Sequence, residues 1–233
     1  MTYCLPADTK TKKLTIDKSK TNMNDNHFPP KKGSIRVKSQ EKILQAAQDE
    51  FIFNGYKGAT VQSIADKAGL PKANVLYYYK NKENIYHAVL EQTLTMWDQG
   101  IGDINYEDGP KLAVEKFIAV KVNMSFLYPK ASKIYAMEVI QGAQHLKEFA
   151  RTYQRKWVRE KSKIFQQWAN EGKMLAIDPV SLIFLIWSST QHYADFETQI
   201  LTIKNRADYE QEDAEQVTQF LTDFILRGIG VIK

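Results

Sequence analysis

Several features that would indicate a secreted, membrane-bound or catalytic protein are scarce in this sequence. One cysteine, Cys4, occurs in 233 residues, so an internal disulfide is excluded. The longest apolar run, residues 182–187, is far shorter than the roughly 20 residues that cross a bilayer. No positively charged start leads into an apolar run of signal-peptide length. We therefore expect a protein of the reducing cytoplasm with no membrane partner.

The motifs of common catalytic and cofactor sites are also missing. The sequence contains no P-loop, no Gly-x-Gly-x-x-Gly and no nucleophile elbow. Its four histidines, at 27, 87, 145 and 192, lie far apart along the chain. His192 and Asp195 are spaced by three and could share a metal ion, but two ligands are too few for a metal site. We expect no enzyme activity, no cofactor and no metal.

Positive charge is concentrated at the start of the chain. Residues 1–38 hold nine Lys or Arg against three Asp, whereas the whole chain has a net charge of only +5. The segment has few large apolar residues, so we interpret residues 1–37 as a disordered basic arm. The arm either keeps the protein soluble or adds phosphate contacts beside a DNA-binding domain, and the sequence leaves both possibilities open.

Beyond the arm, capping residues and apolar spacing predict an all-α fold. Ile43, Ala47 and Phe51 recur every four residues in a first helix that starts near the cap residue Ser39 and ends near Gly55. No segment alternates with period two for long enough to form a strand. The other predicted helices cover residues 61–68, 71–79, 82–97, 109–127, 130–142, 145–171, 179–201 and 209–229, with N-caps at Thr60, Asn81 and Asp178.

The two short helices that follow the first one form a helix-turn-helix, joined at residues 69–70. From Lys67 to Lys82 the chain has four lysines and no acidic residue, as a phosphate-facing surface requires. Lys72, Ala73 and Asn74 occupy the first turn of the third helix, where side chains contact base edges in the major groove. Asn74 can pair with adenine, and Lys72 can reach guanine or a phosphate.

Three consecutive tyrosines end the third helix. We expect Tyr79, together with Leu76, to pack against the first helix, and Tyr77 and Tyr78 to direct their hydroxyl groups at phosphates. The alternative is a packed helical hairpin that binds no DNA, in which the tyrosines fill the core.

The order of these features resembles a known family. The stretch "ILQAAQDEFIFNGYKGATVQSIADKAGLPKANVLYYYKNKENIYHAVL" resembles the DNA-binding domain of TetR-family transcriptional regulators. The resemblance implies base contacts from Lys72, Ala73 and Asn74 and phosphate contacts from Thr60, Tyr77, Tyr78 and Lys82. Pro71 stands where the family has a Ser or Thr cap, so this helix must lose its cap or find another.

The stretch "LIFLIWSSTQHYADFETQI", residues 182–200, indicates a second site. Trp187, Gln191 and Asp195 are spaced by four and share one face of an apolar helix. A buried glutamine amide needs partners, and it could pair with the amide or imide edge of a ligand. The alternative is that Gln191 bonds to the backbone of a neighbouring helix.

Parts of this region are similar to one branch of the family, the pyrimidine-utilisation regulators. "IWSSTQHYADF", "IYAMEVIQGA" and "TMW" at 95–97 carry the similarity. It implies a pocket containing Trp97, Trp187 and Gln191, in which the indoles stack on a flat ring such as uracil or thymine and the amide binds its polar edge.

Together these patterns predict a helix-turn-helix domain at 38–84 and a larger helical domain for ligand binding and dimerisation at 85–233. Phe220, Phe224 and Ile225 on the last helix are expected to pack against a second copy in a four-helix bundle. We expect a homodimeric repressor that binds a near-palindromic operator in double-stranded DNA and is released by a small-molecule effector. The alternative is a DNA-binding regulator controlled by a protein partner, with its pocket filled by its own side chains.

Overall fold

The computed structural model describes residues 35–100 and 104–233, and within these residues all regular structure is helical. The α-helices are α1 (Ile35–Gly58), α2 (Val61–Ala68), α3 (Lys72–Tyr79), α4 (Lys82–Gly100), α5 (Gly109–Leu127), α6 (Pro129–Ile140), α7 (Lys147–Phe149), α8 (Arg155–Asn170), α9 (Pro179–Asp195), α10 (Glu197–Lys204) and α11 (Asp213–Gly228). A 3₁₀ turn (Tyr106–Asp108) precedes α5, and a π-helical turn (Ala150–Gln154) joins α7 to α8. The all-α prediction is confirmed.

The predicted caps hold the helix ends. The Thr60 hydroxyl accepts a hydrogen bond from the Ser63 N–H at 3.0 Å, and Gly69 ends α2 with φ 66°, a conformation that favours glycine. Asn81 caps α4 by accepting from the Asn84 N–H at 2.8 Å. Asp178 caps α9, with Pro179 as the first helical residue.

The start of α1 differs from the prediction. The helix begins at Ile35, so Ser39 lies inside it and residues 35–37 belong to a helix rather than to the basic arm. The rest of that predicted arm, residues 1–34, lies outside the described residues. Gly55 does interrupt the helix, with φ 67°, but one more turn follows to Gly58.

Three later predictions are wrong in detail. The predicted helix 145–171 is divided into α7, the π-helical turn and α8. The predicted helix 179–201 breaks at Phe196, where the backbone leaves helical geometry before α10. Helix α11 begins at Asp213, four residues later than predicted, because Asp213 accepts hydrogen bonds from Lys204, Arg206 and the Glu210 N–H.

The helix-turn-helix has its own core at the N-terminal end of the molecule. Ile43, Ala47 and Phe51 of α1 are buried there, as their four-residue spacing predicts. They pack with Ile64 of α2, Val75 of α3 and the start of α4. Leu76 is only half-buried, so the buried residue of α3 is Val75 and the prediction for Leu76 is wrong.

A second core fills the larger part of the molecule, between α5, α8, α9 and α11. Helix α6 lies between the two cores: it packs on α1 and α4 on one side and on α9 on the other. Its Ile134 is buried in the first core. Among the described residues, no helix is both long and apolar enough to span a membrane.

Candidate functional site

Helix α3 presents an exposed N-terminal turn. Val75 is fully buried and anchors the helix, while Lys72, Ala73 and Asn74 are all exposed on the turn before it. The structure therefore brings together the three residues predicted to contact base edges, on a surface that another molecule can reach.

The N-terminus of α3 has no side-chain cap. Pro71 occupies the N-cap position with φ −57° and ψ 139°, so α3 starts one residue later than predicted, and no side chain hydrogen-bonds to its first turn. Of the two outcomes expected at Pro71, loss of the cap or a replacement for it, the structure shows the loss. Uncapped N–H groups at a helix start, together with the helix dipole, favour an anion.

The three tyrosines of α3 are divided between surface and core. Tyr77 is 77% exposed, and its ring makes an edge contact with Tyr78 at 5.3 Å between centroids. Tyr79 packs against the first core, where burial raises the pKa of its hydroxyl to about 12, an effect that a hydrogen bond with Gln40 of α1 partly offsets. The expected packing of Tyr79 is confirmed. Tyr78 is half-buried, so of the pair predicted to contact phosphates Tyr77 is the more accessible.

The lysines near α3 differ in whether their ammonium groups are already bonded within the protein. Lys82 is engaged: its ammonium donates to the carbonyl oxygens of Tyr56 at 2.7 Å and Ala59 at 2.9 Å, and so closes the end of α1. Lys72 and Lys80 are exposed and form no ion pair with the residues that the structure describes. The predicted phosphate contact of Lys82 stays a prediction, and it requires these bonds to be exchanged. Thr60 is exposed, although its hydroxyl also caps α2.

A small cavity of about 40 Å³ lies where the end of α4 meets the π-helical turn, α8 and α9. Trp97 and Trp187, which the sequence assigns to one pocket, both line it, and the third predicted residue, Gln191, does not. The remaining lining residues are Leu94, Phe149, Tyr153, Gln154 and Trp157. Three indole rings and two further aromatic rings form its wall, which can stack on a flat ring, but at about 40 Å³ the cavity must widen to admit one.

A buried lysine lies beside this cavity. Lys121 of α5 is only 4% exposed, and its ammonium lies 5.0 Å from the centre of the Trp97 ring. No hydrogen bond from that ammonium to a described residue is found, yet the ammonium is not fully enclosed, since Ser162 Oγ is the one fully buried side-chain polar atom among the described residues that lacks a partner. Burial lowers the pKa of Lys121 to about 8, and the nearby Asp195 carboxylate opposes the shift only in part.

Asp195 of α9 is the counter-charge. Its Oδ1 accepts a hydrogen bond from the Ser132 hydroxyl of α6 at 2.6 Å. Burial raises the pKa of Asp195, while this hydrogen bond and the positive charge of Lys121 lower it by a smaller amount. His192, weighed with Asp195 as a metal pair, stacks on Phe196 with 4.7 Å between ring centroids.

Helix α6 connects the cavity to the helix-turn-helix. Tyr135 makes an edge contact with Trp97 at 4.5 Å and accepts a hydrogen bond from Gln154 at 2.7 Å. One turn later, Glu138 is buried against α4, where it accepts from the Tyr86 hydroxyl at 2.8 Å. Helix α6 therefore contacts α4 at two points, at Trp97 beside the cavity and at Tyr86 near the helix-turn-helix.

Sequence reasoning missed Lys121, Trp157 and Tyr135. A lysine in the apolar run "FIAVKVNM" was the available signal for Lys121, since such a position on the core side of a helix is seldom charged. Trp157 lies in a helix that is dense in charge, but it precedes Ile164 and Phe165 by seven and eight residues, and this helical spacing was the available signal.

The outer faces of α9 and α11 expose large apolar side chains. Phe220 and Phe224 are 61% and 64% exposed, and Phe184 and Leu185 of α9 are exposed as well. Ile225 is only 3% exposed because it packs in the core of its own chain, so the prediction that it contacts a second copy is wrong.

Comparison with protein families divides the chain near the middle of α4. Residues 43–89 match the model described as bacterial regulatory proteins, tetR family, and residues 90–232 match that described as YcdC-like protein, C-terminal region. The chain is 36% identical over 199 residues to the HTH-type transcriptional regulator RutR of Escherichia coli K12, which covers 85% of this chain and 94% of that relative. The HTH-type transcriptional regulator QacR of Staphylococcus aureus Mu50 is 33% identical over 60 residues, 26% of this chain and 32% of the relative.

Solved structures share the fold. A bacterial regulatory protein in the tetR family from Rhodococcus RHA1 has a TM-score of 0.68 at 16% identity, over 84% of this chain and 99% of that one. AibR in complex with isovaleryl coenzyme A and operator DNA has a TM-score of 0.63 at 17% identity, over 80% of this chain and 97% of that one. At these identities the likeness concerns the fold alone.

Proposed function

The chain belongs to the TetR family of bacterial regulatory proteins, and from this premise we propose that it is a dimeric repressor released from DNA by a small planar effector of the pyrimidine type. Its family and its similarity to RutR, the pyrimidine-utilisation regulator, make it a ligand-responsive transcriptional regulator. Homologues with this domain pair are regulators rather than enzymes.

DNA binding is assigned to α3. The exposed turn with Lys72, Ala73 and Asn74 would enter the major groove, and its uncapped N–H groups would take a phosphate. Tyr77, Tyr78 and Thr60 would add phosphate contacts beside it. Two copies of α3, about 34 Å apart in a dimer, would contact successive turns of a near-palindromic site.

The effector is assigned to the cavity at Trp97. The observation that carries this assignment is the position of the Lys121 ammonium, which forms no hydrogen bond within the described residues and lies against the indole that also lines the cavity. An effector with a carbonyl group would supply the missing acceptor, and the indoles of Trp97 and Trp187 would stack on its ring. Gln191, one turn beyond Trp187, would complete the polar edge after a change of rotamer.

Dimerisation is assigned to α9 and α11. Exposed phenylalanines rarely cluster on the surface of a monomer without a partner. Phe184, Phe220 and Phe224 project from the last two long helices, and burying them against a second copy would form a four-helix bundle.

The effector and the operator would then oppose each other through α4, which carries Trp97 and follows the recognition helix. A ligand that moves Trp97 would move the end of α4 directly, and it would also move Tyr135 of α6, the helix that holds α4 through Glu138 and Tyr86. Because α4 follows α3 directly, the spacing of the two recognition helices would change. By linkage, operator DNA must weaken the effector by the factor by which the effector weakens DNA.

The test is thermal denaturation of the full chain with uracil, thymine, adenine and dihydrouracil. At a hundred times its Kd an effector stabilises the folded state by about 2.7 kcal/mol, which raises the Tm by roughly 5 °C or more. We expect this shift with uracil or thymine. Dihydrouracil keeps the imide edge but lacks the flat aromatic ring, so it should give a smaller shift.

Two variants locate the binding site. Gln191→Ala should reduce the shift, whereas Gln199→Ala, an exposed glutamine on α10, should leave it unchanged. A ligand that shifts the wild type should also release operator DNA in a gel shift at fixed salt. If no pyrimidine shifts the Tm, the effector assignment is wrong, and control by a protein partner becomes the better explanation.

A further inference from the structure

Three side chains that can bind metal meet at the junction between the helix-turn-helix and α6, away from the effector cavity. Glu83 and His87 lie on α4, and His145 lies in the turn before α7. One potential ligand atom from each lies within 4.8 Å of the others. The two histidine rings are in edge contact, 5.0 Å between centroids. Nothing in the proposed regulation uses these residues.

The ring of His145 is oriented by a buried carboxylate. Its Nδ1 lies 3.2 Å from Glu138 Oε1, so its Nε2 remains available to another partner. Glu138 is itself fixed, because it accepts from the Tyr86 hydroxyl at 2.8 Å and from the His145 N–H at 2.7 Å. Histidines that bind metal commonly donate their other ring N–H to a carboxylate in this way, which fixes the ring and strengthens the ligand.

The other two ligands come from a single helix face. Glu83 and His87 are four residues apart, with Oε1 and Nε2 separated by 3.9 Å, and both side chains are exposed. Tetrahedral zinc holds nitrogen and oxygen ligands about 3.3 Å apart. Rotation of two exposed side chains can close this difference, and a groove of about 530 Å³ beside His145 admits solvent.

We propose that Glu83, His87 and His145 bind a divalent first-row transition-metal ion with the ligand preferences of zinc, with water in the fourth position. Two imidazoles and one carboxylate suit Zn²⁺ better than Mg²⁺ or Ca²⁺, which prefer oxygen ligands alone. The ion joins α4 to the turn that follows α6, so it resists movement between the recognition helix and the effector domain. Zn²⁺ should therefore change the affinity for DNA as well as the stability.

The experiment is a calorimetric titration of Zn²⁺ into the tag-free, chelator-treated full chain carrying Cys4→Ser, which removes the thiol as a competing ligand. We expect one Zn²⁺ per chain, and binding at least tenfold weaker in His87→Ala. The matched control is His192→Ala, because His192 stacks on Phe196 far along the chain from this cluster and should leave the affinity unchanged. Co²⁺ should give visible ligand-field absorption that His87→Ala abolishes.

His87 is exposed, so its replacement should leave the fold intact, and a melting curve without metal checks this. Glu83→Gln should weaken Zn²⁺ as well. The absence of a saturable site in the Cys4→Ser chain would overturn the proposal. So would an affinity that is the same in His87→Ala, since the ion would then lie elsewhere in the chain.

Discussion

Helix α6 carries a buried polar group toward each end, and the two groups differ in how completely their hydrogen bonds are satisfied. At the C-terminal end, the Glu138 site consists of Glu138, Tyr86 and His145, and the carboxylate accepts from two defined donors within 2.8 Å. At the N-terminal end, the Lys121 site consists of Lys121, Asp195 and Ser132. Its aspartate is bonded, but its ammonium has no acceptor among the described residues.

This difference in hydrogen bonding distinguishes a site that stabilises the fold from a site that can bind a ligand. A satisfied buried network is rigid and resists change, because losing one partner leaves the others unpaired. A largely buried lysine that forms no hydrogen bond costs folding free energy, and a ligand acceptor would recover part of that cost. The Glu138 site therefore holds α6 to the helix-turn-helix, and the Lys121 site is the one that we propose for the effector.

The largest effect is expected from Glu138→Ala. It removes the acceptor of the buried Tyr86 hydroxyl and of the partly buried His145 N–H, which should lower the free energy of unfolding by about 3 kcal/mol. Denaturant unfolding followed by circular dichroism measures this. The matched control is Glu148→Ala, an exposed glutamate, which should change stability by less than about 0.5 kcal/mol. Equal costs for the two variants would show that the Glu138 site is not a structural contact.

The opposite sign is expected from Lys121→Met. Methionine fills a similar volume without a charge, so the variant without ligand should be more stable than the wild type by about 2 kcal/mol at pH 7. The same variant should show no Tm shift with a pyrimidine. Lys111→Met, on the exposed face of α5, serves as control and should retain both the stability and the shift. A destabilised Lys121→Met would mean that the ammonium is satisfied without a ligand.

The stability gained in Lys121→Met should depend on pH. The pKa of Lys121 is lowered to about 8, whereas it is near 10.5 in the unfolded chain. Between these values the unfolded state binds the extra proton, so the wild type gains stability as the pH rises. The advantage of the variant should therefore fall by about 3 kcal/mol between pH 8 and 10.5, which leaves the wild type slightly the more stable protein at the upper end. Unfolding measured across this range for both proteins checks the sign, and a constant difference would contradict it.

The smallest effects are expected from removing single hydroxyl groups, one in the Glu138 site and one beside the effector cavity. Tyr86→Phe removes one donor from the buried Glu138 and should cost about 1 kcal/mol. Tyr135→Phe removes the acceptor of Gln154, which is only half-buried and can turn to water, so its cost should be smaller, about 0.5 kcal/mol. Thermal melts of the two variants give the order, and a reversed order would show that the Glu138 site is the less rigid one.

Local features of the fold could be predicted from the sequence, because their causes lie within a few residues. Thr60 caps α2 through the N–H three residues later, and Ile43, Ala47 and Phe51 share a face through helical spacing alone. Most helices follow from such patterns. The break at Phe196 could not be predicted, since no glycine or proline marks it.

The parts of the site that were missed depend on contacts between distant segments. Lys82 was assigned to a phosphate, but its ammonium reaches carbonyl oxygens at the end of α1, which only the packing of α4 on α1 brings near. His87 and His145 meet because α6 and the turn after it lie against α4. Trp97 and Trp187 were assigned to one pocket by resemblance to a family rather than by spacing.

The most direct test of effector control through the Lys121 site is the affinity of the dimer for operator DNA, selected from random duplexes, with and without uracil or thymine. Fluorescence anisotropy at fixed salt should show operator binding at least tenfold weaker with ligand in the wild type. Lys121→Met should bind the operator as tightly as the wild type and should not respond to the ligand. The same loss of affinity in Lys121→Met would contradict the assignment of the effector to this site.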